Sequence, residues 1–221
     1  MTTAIIGVGN IGKAVAQDLV NGGEEVMLAS RNEADAAAVA DGLGSQATAA
    51  STGKAIDAAD AVVLAVWLDA MKEVIADHGA ALAGKVVIDP SNPVAFNDKG
   101  EVSRTLPDGV SVGSVIAGLL PTDAHYVKAF GTIAAASLAS EPNRSPRKVT
   151  LFYATDDEQA ARAAERLISA AGFEPVKAGG MESALRIEMG GDLHQYGGLD
   201  GKLLDTDEAK AAVTGGAQQS A

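Results

Sequence analysis

Apolar residues recur along this chain with two periods, and the changes from one to the other lay out its elements. Residues 4–6 form a short apolar run that predicts a strand, whereas Ile11, Val15, Leu19 and Val20 stand at helical spacing and predict a helix over 10–21. Gly22 and Gly23 end that helix. Residues 25–29 then predict a second strand, and 33–43 an alanine-rich helix stopped by Gly42 and Gly44. A short polar helix ending at Asp60 precedes the near-continuous apolar run 61–66, the pattern of a strand covered on both faces, and a helix follows over 69–82. Residues 85–88 predict another buried strand. It is terminated by Asp89-Pro90-Ser91-Asn92-Pro93, whose prolines bar both helix and interior sheet.

Past a polar stretch over 97–108, the pattern predicts a short helix at 114–120 and strands at 126–130 and 148–154. A long amphipathic helix at 156–171 and a last strand at 173–176 follow, the strand placed at a sheet edge by Pro175. Strands and helices in this alternation predict an α/β fold with a doubly wound, mostly parallel sheet. Residues 1–180 are read as a dinucleotide-binding Rossmann domain and 181–213 as a C-terminal extension of helix and loop. The glycine-rich, polar residues 214–221 are read as a disordered tail.

Composition narrows the function. With 221 residues, 47% of them hydrophobic and 4% aromatic, the chain can build one generous core without staples. Seventeen Lys and Arg against 29 Asp and Glu leave a net charge of −12, which repels polyanions and excludes nucleic acid as the expected partner. An anionic ligand must then be held by backbone dipoles and a few placed cations. There is no Cys, and His78, His125 and His194 have no ligand spacing, so no metal is expected. No signal segment or membrane span is visible, and a cytoplasmic protein without a membrane part is expected.

Gly7-Val8-Gly9-Asn10-Ile11-Gly12 fits G-x-G-x-x-G between a strand and a helix. Gly7 permits the tight turn, Gly9 lets a pyrophosphate approach the main chain, and Gly12 lets the helix pack close to the strand. The amides at the helix start then face the diphosphate. A unit that prefers NAD carries a carboxylate at the end of its second strand. Here that strand ends in Ser30-Arg31-Asn32, and a hydroxyl followed by a guanidinium suits a 2′-phosphate. NADP is therefore expected over NAD, with Glu33 and Asp35 near enough to leave dual use open.

These motifs, with Val66-Trp67, Asp89 to Pro93, Val127 to Ile133 and Gly172 to Val176, resemble the NADP oxidoreductases dependent on the deazaflavin coenzyme F420. The likeness runs over roughly residues 3 to 190. It implies hydride transfer between NADP(H) and a planar carrier, coenzyme F420 first, over the strand ends. It further implies a cofactor site of Gly7, Val8, Gly9, Asn10, Ile11, Gly12, Ser30, Arg31 and Asn32, with a nicotinamide floor of Val66, Trp67, Pro90 and Asn92. Pro93, Gly131, Thr132 and Ile133 would line the substrate pocket. Direct transfer between stacked rings requires no triad, and no paired carboxylates or histidine dyad are visible, so no catalytic residue is named. Where relatives carry His or Asn this chain has Gly131, expected to open room for a larger acceptor. A flavin, quinone or imine reductase, and a sensor that binds NADP without turnover, are the alternative readings.

Trp67 reads equally as a ring stacked on the cofactor and as a rim aromatic. Lys128 reads either as a cation steadying charge near the hydride site or, by strand alternation, as a solvent-facing residue, the favoured reading, and His78 and His125 are expected at the surface. His194, in the glycine-bracketed segment 190–198, reads either as closing over the substrate or, the favoured reading, as part of a surface loop or dimer contact. A homodimer formed through residues from about 180 onward is the expected assembly.

Overall fold

The computed structural model describes residues 1–97, 99 and 101–216. A first run of elements is β1 (Thr3–Ile6), α1 (Asn10–Asn21), β2 (Val26–Ala29), α2 (Glu33–Leu43) and β3 (Ala47–Ala49). A second is α3 (Thr52–Ala58), β4 (Ala61–Leu64), α4 (Leu68–His78) and β5 (Val86–Asp89). The polar stretch after β5 holds a hairpin, β6 (Val94–Phe96) with β7 (Val102–Arg104), in antiparallel register. Then come α5 (Val112–Ala117), β8 (His125–Lys128), α6 (Ala135–Ser140), β9 (Thr150–Ala154), α7 (Glu158–Ala170) and β10 (Glu174–Gly179). The chain continues through α8 (Ala184–Ile187) to α9 (Thr206–Gly216).

Eight strands form one sheet in the order β10-β9-β8-β5-β4-β1-β2-β3. All pairs are parallel except β8 with β9, which meet antiparallel at Lys128 and Ala154. The expected doubly wound, mostly parallel sheet is present, and β10 with its Pro175 is at an edge. Alternation along each strand divides the core between the two faces. Ile5, Val63, Ile88 and Val127 pack with residues of α1 and α7 on one face, while Ile6, Val62, Val87 and Tyr126 pack with α3, α4 and α5 on the other. Each fully buried Leu or Ile contributes about 1.5–3 kcal/mol by leaving water.

The extension closes what the Rossmann unit leaves open. Phe152, Ala154, Val176 and Ala178, on β9 and β10, form a third apolar cluster with Ile187, Leu193 and Ala209. The segment expected to be tail is helical as far as Gly216, and residues 217–221 lie outside the described residues. Two predicted strands end early. β4 stops at Leu64 because Ala65 turns against the glycine loop, its carbonyl lying where a Cβ on Gly7 would stand. β8 stops at Lys128, and two residues on, Phe130 adopts φ 66°, a left-handed conformation that a bulky residue rarely takes, with its ring fully buried.

Candidate functional site

β1 and β4 are neighbours at the point where the chain winds away in both directions, and the glycine loop leaves β1 there. Gly7 has φ 104° and donates its N–H to the Ala29 carbonyl at 2.8 Å. A Cβ on Gly7 would come within 2.3 Å of the Ala65 oxygen, and one on Gly12 within 1.9 Å of the Gly7 oxygen. Gly9 differs, since nothing lies within 4 Å of the place its Cβ would take. The turn and the helix packing thus exclude side chains at Gly7 and Gly12, and the space over Gly9 is open. α1 begins with no side-chain cap on its first amides and no acidic residue in its first turn. That end presents N–H groups and a positive dipole to the open space, while Asn10 is exposed and Val8 and Ile11 are half-buried beside it.

At the end of β2, Ser30 Oγ donates to the Asn32 carbonyl at 2.5 Å, and Asn32 caps α2 by accepting from the Ala34 amide at 3.3 Å. Arg31 is exposed and takes part in no ion pair among the described residues. The structure therefore leaves the guanidinium available and uses the Asn32 side chain locally. Further along the strand ends, Val66 is half-buried and Trp67, at the start of α4, is 62% exposed.

The next part of the expected floor is built differently. Pro90 is buried, and Asn92 is tied at both ends of its amide. Its Nδ2 donates to the Gly131 carbonyl at 3.0 Å, and its Oδ1 accepts from the Met189 amide at 2.6 Å. Asn92 joins three chain segments. His194 belongs to the same knot, contrary to its expected place at the surface. It is 1% exposed, its Nδ1 accepts from the Tyr196 amide at 2.9 Å, and its Nε2 therefore carries the proton, donating to the Gly131 carbonyl at 3.1 Å. Burial pushes this imidazole down to about 4, so it is neutral at physiological pH.

Gly131 does not open room. A Cβ there would lie 2.4 Å from the Pro90 oxygen, and glycine is what lets the two segments touch. Thr132 and Ile133 are also buried, Ile133 in the main core, as is Pro93. The wall expected from residues 131–133 is thus packed protein.

Lys128 is the larger correction. It is 3% exposed, with Nζ bonded to the Ser91 carbonyl, 3.2 Å from Asp89 Oδ1 and 3.9 Å from Glu188 Oε1. Asp89 also accepts from the Ser91 amide at 2.7 Å and from the Tyr126 hydroxyl at 2.7 Å. Glu188 accepts from the Val112 and Gly113 amides at 3.2 and 3.0 Å, which tethers the start of α5. Two carboxylates therefore flank one ammonium beneath the floor, where none had been expected. Burial raises the Glu188 carboxyl against the opposing pull of Lys128, and burial together with Asp89 raises the Tyr126 phenol. Alternation failed for Lys128 because β8 lies inside the sheet with helices over both faces, so neither side reaches water. His125 and His78 are half-buried at the margins, His125 with Nδ1 2.7 Å from the Asp157 carboxylate.

A cleft of about 730 Å³ lies between the β6–β7 hairpin and residues 185–196, and Met189, whose amide bonds Asn92, is in its lining. Sequence reasoning missed it because a hairpin on a polar stretch carries little apolar signal. The alternation in Val102-Ser103-Arg104 is the one available trace.

Comparison with known proteins agrees with this architecture. Residues 2–93 match the family described as NADP oxidoreductase, coenzyme F420-dependent. A hypothetical protein of Sinorhizobium meliloti is 31% identical, with a TM-score of 0.81 over 94% of this chain and 96% of that one. A candidate F420-dependent NADP-reductase of Arthrobacter sp. FB24 is 22% identical, with a TM-score of 0.71 over 83% and 87% of the two chains. An imine reductase of Aspergillus terreus, solved with NADPH4 and dibenz[c,e]azepine, is 21% identical with a TM-score of 0.60, and this chain spans 57% of its length. No curated protein matches the chain in sequence. Residues 2–93, which carry the glycine loop and β1 to β5, match that family, a match that supports NADP-dependent oxidoreduction, and the whole chain shares its fold with the Sinorhizobium meliloti protein.

Proposed function

We propose that this protein transfers a hydride between NADP(H) and a planar acceptor, coenzyme F420 being the first choice. The observation that carries the reading is the open space over Gly9, bounded by an uncapped helix N-terminus, with Arg31 exposed at the end of the neighbouring strand. Those residues fit a dinucleotide with an additional phosphate. The backbone from Gly7 to Gly12 would hold the pyrophosphate, and Ser30 and Arg31 the 2′-phosphate. Val66 and Trp67 would border the nicotinamide.

When bound, NADPH would supply the hydride and the acceptor ring would take it with one proton from water, leaving the oxidised cofactor. The chain's own contribution is to hold the two rings and keep water from between them. The buried Lys128 cluster and the Asn92 knot fix the floor in place. Both are closed inside the protein, and direct transfer asks no proton of them. The Rossmann likeness to imine reductases supplies the competing acceptor class.

Absorbance at the deazaflavin band, followed with NADPH and oxidised F420, tests the reading. Reduction of F420 at a rate that saturates in both reactants is the expected result. Saturable F420 binding without NADPH oxidation overturns it, and turnover with a cyclic imine alone assigns the chain to the other acceptor.

A further inference from the structure

We propose that the buried cluster of Asp89, Lys128 and Glu188 carries a surplus negative charge that favours an oxidised, cationic nicotinamide on the floor above it over a reduced one. The site is thereby biased toward giving up hydride, with NADPH as the donor. The inference rests on the hydride-transfer reading above and adds a direction to it.

Two carboxylates share one ammonium, with Lys128 Nζ 3.2 Å from Asp89 Oδ1 and 3.9 Å from Glu188 Oε1. Among the described residues neither carboxylate pairs with another cation. The titratable neighbours add no charge of their own. Burial together with Asp89 raises the Tyr126 phenol, and burial pushes the His194 imidazole, which also feels Lys128, down to about 4. Both oxygens of Glu188 accept backbone amides, from Val112 at 3.2 Å and Gly113 at 3.0 Å. Those bonds and Lys128 favour the ionised carboxyl against the rise that burial causes. A single carboxylate would neutralise Lys128, so one negative charge is left over.

That charge lies directly behind the floor. Asp89 immediately precedes Pro90, and Glu188 immediately precedes Met189, whose amide donates to Asn92 Oδ1 at 2.6 Å. Lys128 itself bonds the carbonyl of Ser91, between Pro90 and Asn92. Asp89, Lys128 and Glu188 are 0, 3 and 1% exposed, so water does little to screen them.

Loss of hydride, which would pass to the acceptor with a proton from water, turns the neutral reduced nicotinamide into a cation. Only the oxidised ring therefore gains from a negative charge nearby. A unit charge about 10 Å from another, at an effective dielectric of about 20, changes an affinity roughly tenfold. The surplus carboxylate thus acts on the difference between the two forms of the cofactor, while the hydrogen bonds of the cluster hold the floor for both.

The test measures dissociation constants of NADP+, NADPH and 2′,5′-ADP, which lacks the nicotinamide, by calorimetric titration at pH 8. Wild type is compared with Glu188→Gln, Asp89→Asn and the double variant Lys128→Met with Glu188→Gln. Each single variant removes the surplus charge and is expected to shift the ratio of NADP+ to NADPH affinity roughly tenfold toward NADPH. The double variant still carries one negative charge, on Asp89, and its ratio is expected to match wild type. Unchanged affinity for 2′,5′-ADP reports an intact pocket, and the single variants lie on separate segments, so either one that folds suffices. A ratio that stays within about twofold of wild type in the single variants overturns the proposal. An equal shift in the double variant also overturns it, because the effect would then follow damage and not charge. NADPH turnover with F420 is followed beside binding. The expected shifts without turnover would sink the hydride-transfer reading and leave the charge effect standing, and turnover with a ratio that ignores the cluster does the reverse.

Discussion

In the turn after β1, one short stretch from Gly7 to Gly12 carries the whole arrangement. Beneath Asn92, by contrast, Asp89, Lys128 and Glu188 come from distant parts of the chain and meet only in the fold. The first region works by leaving side chains out: two glycines are forced by backbone contact and a third leaves a space. The second works by filling every polar valence with protein. The contrast teaches that the glycine turn is set largely within one short stretch, with the Ala65 backbone as its distant partner, whereas the floor beside it depends on the docking of several segments far apart. One region should respond to substitution in binding, the other in stability.

The largest effect should follow Lys128→Met, which leaves Asp89 and Glu188 buried without their cation. A loss of about 3–5 kcal/mol in urea unfolding is expected, and adding Glu188→Gln to that variant should recover part of it. A loss below about 1 kcal/mol, within the range of an ordinary exposed pair, would remove the contrast between the regions.

Next come the glycines. Gly12→Ala drives a methyl into the Gly7 carbonyl and should cost roughly 1–3 kcal/mol of stability as well as NADPH affinity. Gly9→Ala meets nothing in the folded chain, so its melting temperature should be close to that of wild type while its NADPH dissociation constant rises about tenfold or more. Calorimetric titration beside thermal melts separates the two, and equal loss of stability would show that the space over Gly9 is not kept for a ligand.

Arg31→Ala should act on binding alone, raising the NADPH dissociation constant about tenfold with NADH unchanged. If both cofactors bind the variant as they bind wild type, Arg31 plays no part in recognising a 2′-phosphate.

The smallest effect is one of pH. Asp18, on α1, is 4% exposed and its Oδ2 has no hydrogen-bond partner among the described residues, and burial pushes its carboxyl up to about 7. Its pKa is higher folded than unfolded, so the folded state binds the proton more tightly and stability falls as pH rises from about 4 to about 7. Asp18→Asn should gain a few degrees in melting temperature at pH 8 and little at pH 4. An equal gain at both values would show that ionisation is not what the site resists.

Much of the fold could be read from the chain. α1 and α2 were predicted to the residue, and β1, β2, β5 and β9 to within a residue or two, because period and glycine stops are local signals. β3, the hairpin and α6 were missed, being short or polar, and of α9 only a helix within 181–213 was expected. Of the candidate site, the glycine loop lies between β1 and α1 and Ser30-Arg31 at the end of β2, as the sequence pattern places them, with the space over Gly9 open and Arg31 exposed. Lys128 and His194 were misplaced outward. Residue type favours water for both, and only the strands and the C-terminal segment packed over them supply the partners that make burial tolerable.

The sequence by itself therefore determined the alternation of strands and helices, the glycine turn and the end of β2, since period, glycine stops and turn residues are signals carried by short stretches of chain. The tertiary structure alone decided what lies under and beyond Asn92. The pairing of Lys128 with Asp89 and Glu188, the closure of the wall at Gly131, and the cleft at Arg104 all arise from segments whose approach depends on the packing of the whole chain.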